Sequence, residues 1–499
     1  MKKPIDQDIR DDILKSNHQH YLISASAGSA KTTILCEKAV SIVDKNLIKT
    51  YQQIAMITFT RLATRQIRDK VIELISKREK SYERYLKNLK IATTESFVLS
   101  EVIKPFIRDA LGKDFPREEN LVQNYNSRFI DFDTGLLKIK TEGIIGSFRD
   151  DRKNFTYQLP LKILEKTENA RKYFKARFPI VMVDKYQDVD YDMHNFYMYL
   201  KDELNVRLVL VGDIKQMLYG FRGADEAIME SIQSDDKFEK YQLIDNFRSH
   251  LSIVNYSYQF FKQEIEIPHI IHEENRVRLY SDFVITENIR KFINEISSNK
   301  DDIFAFLFAT RNQWNTEKYY WEDEGFVFID NTPLDSRYPN YDVLEPILKL
   351  YFDSSNYNIY NLLDDLEVKI KNSTILKATK IKENLETDIS KVLKMIEELT
   401  EINLFEDEKL RFIETLDEKY RINFISNRPK KLALTIHGAK GLEFDHVFID
   451  ADSFYDFDDN FLKQNHYVAI TRPKKSLHIL INDKYESLLQ SLGVIQINS

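Results

Sequence analysis

One stretch near the N-terminus constrains the fold more than any other. Ser24-Ala25-Ser26-Ala27-Gly28-Ser29-Ala30-Lys31-Thr32-Thr33 joins an apolar run, residues 20–25, to a segment of helical apolar period that begins at about Lys31. Small residues let a backbone come close to an anion, and a helix starting behind the loop aims its free N–H groups and dipole at it. Lys31 supplies a cation for phosphate oxygens, and Thr32 a hydroxyl for Mg²⁺. Ala27, Gly28, Ser29, Ala30, Lys31, Thr32 and Thr33 are therefore candidate contacts to a nucleotide. The usual pattern is GxxxxGK[ST], and here Ala25 and Ala30 take the two glycine places. Taken alone, the stretch also reads as a Ser/Ala-rich helix cap.

The rest of the chain repeats the alternation of strand and helix. Residues 53–59 form a second apolar run, followed by a basic helix through Arg78, and residues 178–184 and 207–212 are two more. A second set comes late, at 302–309, 431–436, 446–450 and 476–481. Short apolar strands between helices predict parallel sheets in α/β cores. Residues 110–165, mixed and polar, and 340–425, mostly helical, interrupt the two sets. The long charged stretches of the second interruption read as solvated helix faces. The chain has 499 residues, enough for two to four domains. A formal net charge of −7 gives no global basic field, so any nucleic-acid site is a local patch. The single cysteine, Cys36, excludes an intrachain disulfide framework or Cys-based zinc site and fits a reducing cytoplasm. The first residues lack an apolar signal core, and no apolar run approaches the ~18 residues of a membrane span.

Further segments carry a family resemblance. They are Thr58-Phe59-Thr60, Val181-Met182-Val183-Asp184-Lys185-Tyr186-Gln187-Asp188 and Val211-Gly212-Asp213-Ile214-Lys215-Gln216 with Tyr219 to Asp225. After these come Asn246-Phe247-Arg248-Ser249, Thr435-Ile436-His437-Gly438-Ala439-Lys440-Gly441-Leu442-Glu443-Phe444 and Tyr467-Val468-Ala469-Ile470-Thr471-Arg472. In this order and spacing the chain resembles the UvrD/Rep-like superfamily 1 DNA helicases over nearly its whole length. The resemblance implies two RecA-like parallel-sheet cores of the P-loop NTPase class, each with a mostly helical insertion. Its boundaries would be 1–109 and 166–250 for the first core around an insertion at 110–165. For the second core they would be 251–339 and 426–499 around 340–425. Ile103-Lys104-Pro105-Phe106, Asp192 to Asp202 and Thr332-Pro333-Leu334-Asp335 narrow the resemblance to the helicase subunit of the Gabija anti-phage system. That subunit would work in the cytoplasm on single-stranded DNA or duplex ends. It would form a hetero-oligomer with an OLD-type nuclease subunit that has ATPase and Toprim domains.

The resemblance also implies roles for individual residues. Thr32 and Asp184 would hold Mg²⁺, Gln216 would sense the γ-phosphate of ATP, and Arg248 and Arg472 would meet its charge in the transition state. Phe247 takes the place of an aromatic stacked on adenine, and Glu443 that of a ribose contact. Phe59, Tyr219 and Phe221 match positions where the family stacks bases. Read singly, these arginines are also surface ion-pair partners and these aromatics core residues. The helix at 61–70 puts Arg61, Arg65 and Arg68 on one face, fit to grip a DNA backbone or simply to be solvated. His437 has no second ligand spaced for a metal.

Lys185 is the main departure. The family has a glutamate there, which takes the proton of the attacking water, and a missing general base typically slows a reaction ~10²–10⁴-fold. Asp188 is a candidate substitute acting through water. Ala30 adds a methyl where the loop approaches phosphate. Ile214 replaces a usual proline, and Arg61-Leu62 and Gln66 replace usual Asn-Lys and Glu. Gln7 is a loose candidate for an adenine-reading glutamine. Two expectations follow: an ATP-dependent helicase or translocase moving 3′ to 5′, and a non-catalytic, nucleotide-gated DNA-end sensor or scaffold that regulates the nuclease. A DNA-independent NTPase fits the aromatic matches less well.

Overall fold

A computed structural model describes residues 4–16, 18–77, 82–216, 225–261, 275–281, 301–335, 338, 340–366, 368–400, 402–439, 441–454 and 460–493. Tyr219 and Phe221 lie outside the described residues, as does Lys440. The chain divides into two compact units, Met1–Arg276 with Phe454–Lys474, and Val277–Ser453 with Lys475–Ser499.

The first unit holds β1 (His20–Ala25), β2 (Ile54–Thr58), β3 (Leu89–Thr93), β4 (Val122–Phe129), β5 (Ile144–Phe148), β6 (Ile180–Asp184), β7 (Arg207–Gly212) and β8 (Phe238–Leu243). Six of these form one sheet in the order β3-β2-β6-β7-β1-β8, and every neighbouring pair is parallel. A parallel sheet covered on both faces needs strands that are apolar on both sides, which is why Ile180-Val181-Met182-Val183 reads as an unbroken apolar run. Successive residues serve opposite faces: Val181 and Val183 join the core on one side, Ile180 and Met182 the core on the other. The insertion carries β4 and β5 as a separate parallel pair, with an irregularity in register between Gln123 and Arg128.

The second unit holds β9 (Val277–Ser281), β10 (Phe304–Phe308), β11 (Val327–Phe328), β12 (Lys431–Thr435), β13 (Phe444–Asp450) and β14 (Pro473–Ile481), in the sheet order β11-β12-β10-β13-β14-β9. Phe304, Phe306 and Phe308 of β10 pack with Trp314, Trp321, Phe326 and Phe448. The helical insertion has its own core, drawn from the helices Tyr341–Phe352, Ile359–Asp365, Asn372–Asn384, Ile389–Thr400 and Glu406–Thr415. On Ile389–Thr400 only Val392, Leu393, Ile396 and Leu399 are buried, an i, i+1, i+4, i+7 stripe, and the charged remainder faces outward as its pattern predicts. The α/β architecture with parallel sheets is the one expected from the sequence.

A buried carboxylate ties this insertion together. Glu408 is fully buried and accepts from the backbone N–H of Asn340 at 2.8 Å, from Asn340 Nδ2 at 2.8 Å and from the N–H of Phe405 at 3.0 Å. Glu408→Ala strands these donors. It is expected to destabilise the second unit by about 2–3 kcal/mol, read from a lower denaturant midpoint, whereas an exposed Glu406→Ala stays within about 0.5 kcal/mol.

Candidate functional site

The C-terminal ends of β6, β7 and β1 lie side by side, with Asp184 opposite Val211 and Gly212 opposite Ser24 in register. In an open parallel α/β sheet this edge is where ligands bind. It brings three groups of candidate residues together: the loop after β1, Asp184 at the end of β6, and Asp213 with Gln216 after β7.

The loop after β1 leads into the helix Lys31–Asp44. Ala30, just before the helix, makes no side-chain cap and sits at φ 60°, ψ 38°, so its backbone is left-handed. That conformation costs an L-residue with a Cβ roughly 1–2 kcal/mol and explains why glycine is usual at this place. Gly28 is also left-handed, at φ +74°, and a Cβ there would lie 2.5 Å from Asn246 Oδ1. Lys31 is mostly buried and donates to the carbonyls of Ala25 at 2.9 Å and Ser26 at 3.0 Å, with Asp213 Oδ2 3.7 Å away. Burial pulls its pKa down to about 8 against the opposing pull of Asp213 and Asp184.

Thr32 Oγ1 donates to Asp184 Oδ2 at 3.1 Å, which puts a hydroxyl and a carboxylate side by side. Lys185 follows at φ 62°, ψ 44°, a further left-handed residue, and its backbone N–H donates to Asp184 Oδ1 at 3.0 Å. Asp213 is buried, and its carboxyl is pushed up by burial but held lower overall by Lys215 and Lys31. Gln216 Nε2 donates to Asp213 Oδ2 at 2.5 Å. Asp188 is buried in the turn after Lys185.

The two arginines meet at Thr471. Arg248 donates to its carbonyl at 3.3 Å, and Arg472, almost fully buried, donates to its hydroxyl at 3.2 Å and to the carbonyl of Val468 at 2.9 Å. From the preceding helix, Asn460–Ile470, the Tyr467 hydroxyl reaches the backbone N–H of Ala27 at 3.5 Å. Asn246 Nδ2 donates to the carbonyl of Ala27 at 2.8 Å, and the N–H of Phe247 to that of Gly28 at 2.9 Å. The Phe247 ring is 56 % exposed.

A buried ion pair that sequence reasoning missed holds this loop from behind. Asp6 accepts from Arg10 Nε at 2.7 Å and Nη2 at 3.1 Å, and from the N–H groups of Ile244 at 2.9 Å and Asp245 at 3.0 Å. Arg10 also donates to the carbonyl of Ser29 at 2.9 Å, and its guanidinium carbon lies 4.9 Å from the centre of the Phe247 ring. The only signal in the sequence is the i, i+4 spacing. Gln7 instead donates to Asp11 at 2.8 Å. Asp213, Lys215, Asn246, Thr471 and Tyr467 lie within the motifs but carried no expected role. Asp213 follows directly after a strand of the site edge, which is the signal that could have marked it.

The remaining expected residues are seen within their own units. Phe59 is half-buried against the core of the first unit. Glu443 and His437 are exposed on the second unit. Among the described residues no cluster of three or more His, Cys, Asp or Glu side chains could hold a metal ion, and no helix is long and apolar enough to cross a membrane.

Comparison with known proteins matches residues 7–123 and 117–237 to the UvrD/REP helicase N-terminal domain and residues 431–480 to the UvrD-like helicase C-terminal domain. The chain is 35% identical to the Gabija protein GajB of Bacillus cereus (strain VD045), over 97% of each chain. It is 24% identical to a probable DNA helicase II homolog of Mycoplasma genitalium, over 92% of this chain and 82% of that one. A probable DNA helicase II homolog of Mycoplasma pneumoniae is 21% identical, over 92% of this chain and 81% of that one.

Two outcomes follow from the loop geometry. Ala30→Gly relieves the left-handed strain and is expected to raise stability by about 0.5–1 kcal/mol in chemical denaturation, while Gly28→Ala abolishes nucleotide binding measured by calorimetry. Asp6→Ala leaves Arg10 buried and unpaired and is expected to cost about 3–5 kcal/mol, read from the same denaturation curves.

Proposed function

Because the chain belongs to the UvrD/Rep-like superfamily 1 helicases, we propose that it is an ATP-dependent DNA helicase or translocase that serves anti-phage defence. Its partner is a nuclease subunit of the OLD type, with ATPase and Toprim domains, in a cytoplasmic hetero-oligomer. It moves 3′ to 5′ on single-stranded DNA or from duplex ends. Similarity to a Gabija protein over nearly the whole chain supports the defence role. The observation that carries the motor reading is the meeting of Lys31, the Thr32–Asp184 pair, Asp213 with Gln216, and Arg248 with Arg472 in one unit.

Each of these residues has work that suits its chemistry. The backbone N–H groups of the loop and the start of its helix receive phosphate oxygens, and Lys31 exchanges the carbonyls of Ala25 and Ser26 for the β- and γ-phosphates. The hydroxyl of Thr32 and the carboxylate of Asp184 suit a hard cation that keeps waters and phosphate as its other ligands, so Mg²⁺ fits here. When bound, Mg²⁺ supplies charge that stabilises the transferring phosphoryl group. Gln216 reports the γ-phosphate, and the planar cations Arg248 and Arg472 meet charge spread over its oxygens. Phe247 offers a face to adenine, and Glu443 a carboxylate to ribose. Phe59, Tyr219 and Phe221 stack bases of any sequence.

Lys185 and Ala30 favour slow hydrolysis. An ammonium cannot take a proton from water, and a missing base typically lowers the rate ~10²–10⁴-fold. This supports a second reading, a nucleotide-gated DNA-end sensor that regulates the nuclease without turning over ATP quickly.

Steady-state hydrolysis with and without single-stranded DNA separates the two. The expected result is weak turnover in the parent and a DNA-stimulated rise of ~10²-fold or more in Lys185→Glu. Brisk DNA-stimulated turnover in the parent would show that another group orders the water, and the impairment would be rejected while the motor reading stands.

A further inference from the structure

Asp184 and Lys185 form an unusual neighbourhood. Both carboxylate oxygens of Asp184 receive neutral donors, Oδ2 from the Thr32 hydroxyl and Oδ1 from the Lys185 backbone, and no ion pair is made to it among the described residues. The ammonium of Lys185, half-buried, likewise makes no hydrogen bond or ion pair among the described residues. The neighbouring cations are differently placed: Lys31 and Lys215 both face Asp213, at 3.7 and 3.4 Å. Arg248 and Arg472 are anchored on Thr471. Among the described residues, Lys185 is thus the cation of this edge with no partner of its own, carried on a flexible stem with three donors.

We propose that Lys185 takes over the charge-neutralising share of the metal, so that this site binds a nucleoside triphosphate without requiring Mg²⁺. The proposal rests on the nucleotide-binding reading above and deepens it. Two effects act in the same direction. Lys185 directly follows Asp184, so its flexible stem lets the ammonium reach a triphosphate seated on this edge and attract it, and partial burial limits screening by salt. A cation within that reach opposes entry of a second one, so the gain from adding Mg²⁺ shrinks. Lys185 then acts as a binding residue in the place where the family has a base, and the metal becomes optional for occupancy.

The test is calorimetric titration of the full chain with adenosine 5′-(β,γ-imido)triphosphate, in Mg²⁺ and in EDTA. The expected ratio of Kd in EDTA to Kd in Mg²⁺ is below about 10 for the parent. In Lys185→Asn and Lys185→Gly, which remove the charge and suit a left-handed backbone, it rises to roughly 100 or more. A parent ratio of about 100 overturns the proposal and leaves the nucleotide-binding reading intact. So do variants that keep the parent ratio. Absence of binding in both buffers would overturn the nucleotide-binding reading itself, and this proposal with it. The parent titrations decide the first point without any variant, and a thermal melt confirms that the variants are folded.

Discussion

The parallel pairing of β6, β7 and β1 is the constraint on which the rest depends. Parallel neighbours end on the same edge, so one sheet delivers the phosphate loop, Asp184 and Asp213 to adjoining positions with no further design. An antiparallel neighbour would have sent one of the three to the opposite edge. Burial of both sheet faces fixes the register, because slipping a strand by one residue would exchange Val181 and Val183 with Met182 between two different cores. Side-chain packing away from the site therefore determines how the carboxylates stand within it.

Ala30 and Lys185 share a backbone feature. Both are left-handed, at φ 60° and 62°, on the two sides of the Thr32–Asp184 pair. Side chains with a Cβ persist in such conformations only where the surroundings over-determine them. Here the surroundings do so: the helix Lys31–Asp44 must begin where the loop ends, and the N–H of Lys185 is held by the carboxylate of Asp184. Strain and chemistry are separate consequences of the side chains at these two positions. At position 30 the change is steric, and a glycine would remove it. At position 185 the side chain is a cation, where a carboxylate would instead offer a base.

β1, β2, β6 and β7 were legible in the sequence because each is a short apolar run bounded by polar turns, and they fall where those runs predict; β4 (Val122–Phe129) and β8 (Phe238–Leu243), rich in polar residues, were not. The loop was legible because few segments combine small residues, a lysine and a hydroxyl ahead of a helix. Contacts between distant segments were not legible. Asp6 binds the backbone of residues 244 and 245, and Tyr467 reaches Ala27, across separations that no local period records. The motif order places Arg472 near the end of the chain, yet only packing shows that Phe454–Lys474 belongs to the same compact unit as the loop and that one threonine holds both arginines. At Gln7 the structure adds a local bond to Asp11 that the sequence did not suggest.

The balance of charge explains why this edge suits a highly charged ligand. Lys31, Lys185, Lys215, Arg248 and Arg472 belong to the segments that form it, with Asp184, Asp188 and Asp213 as nearby acids. Backbone carbonyls take part in holding three of the cations: Lys31 donates to those of Ala25 and Ser26, Arg248 to that of Thr471, and Arg472 to that of Val468. Carbonyls hold a cation's geometry without cancelling its charge, so the field of the group survives for an incoming anion. A carboxylate at position 185 would offset part of that field and supply a base; an ammonium adds to it and supplies none. On the proposed reading the same side chain would strengthen attraction for a triphosphate and leave its hydrolysis without a base at that position, so that occupancy rather than turnover would be the property this edge favours.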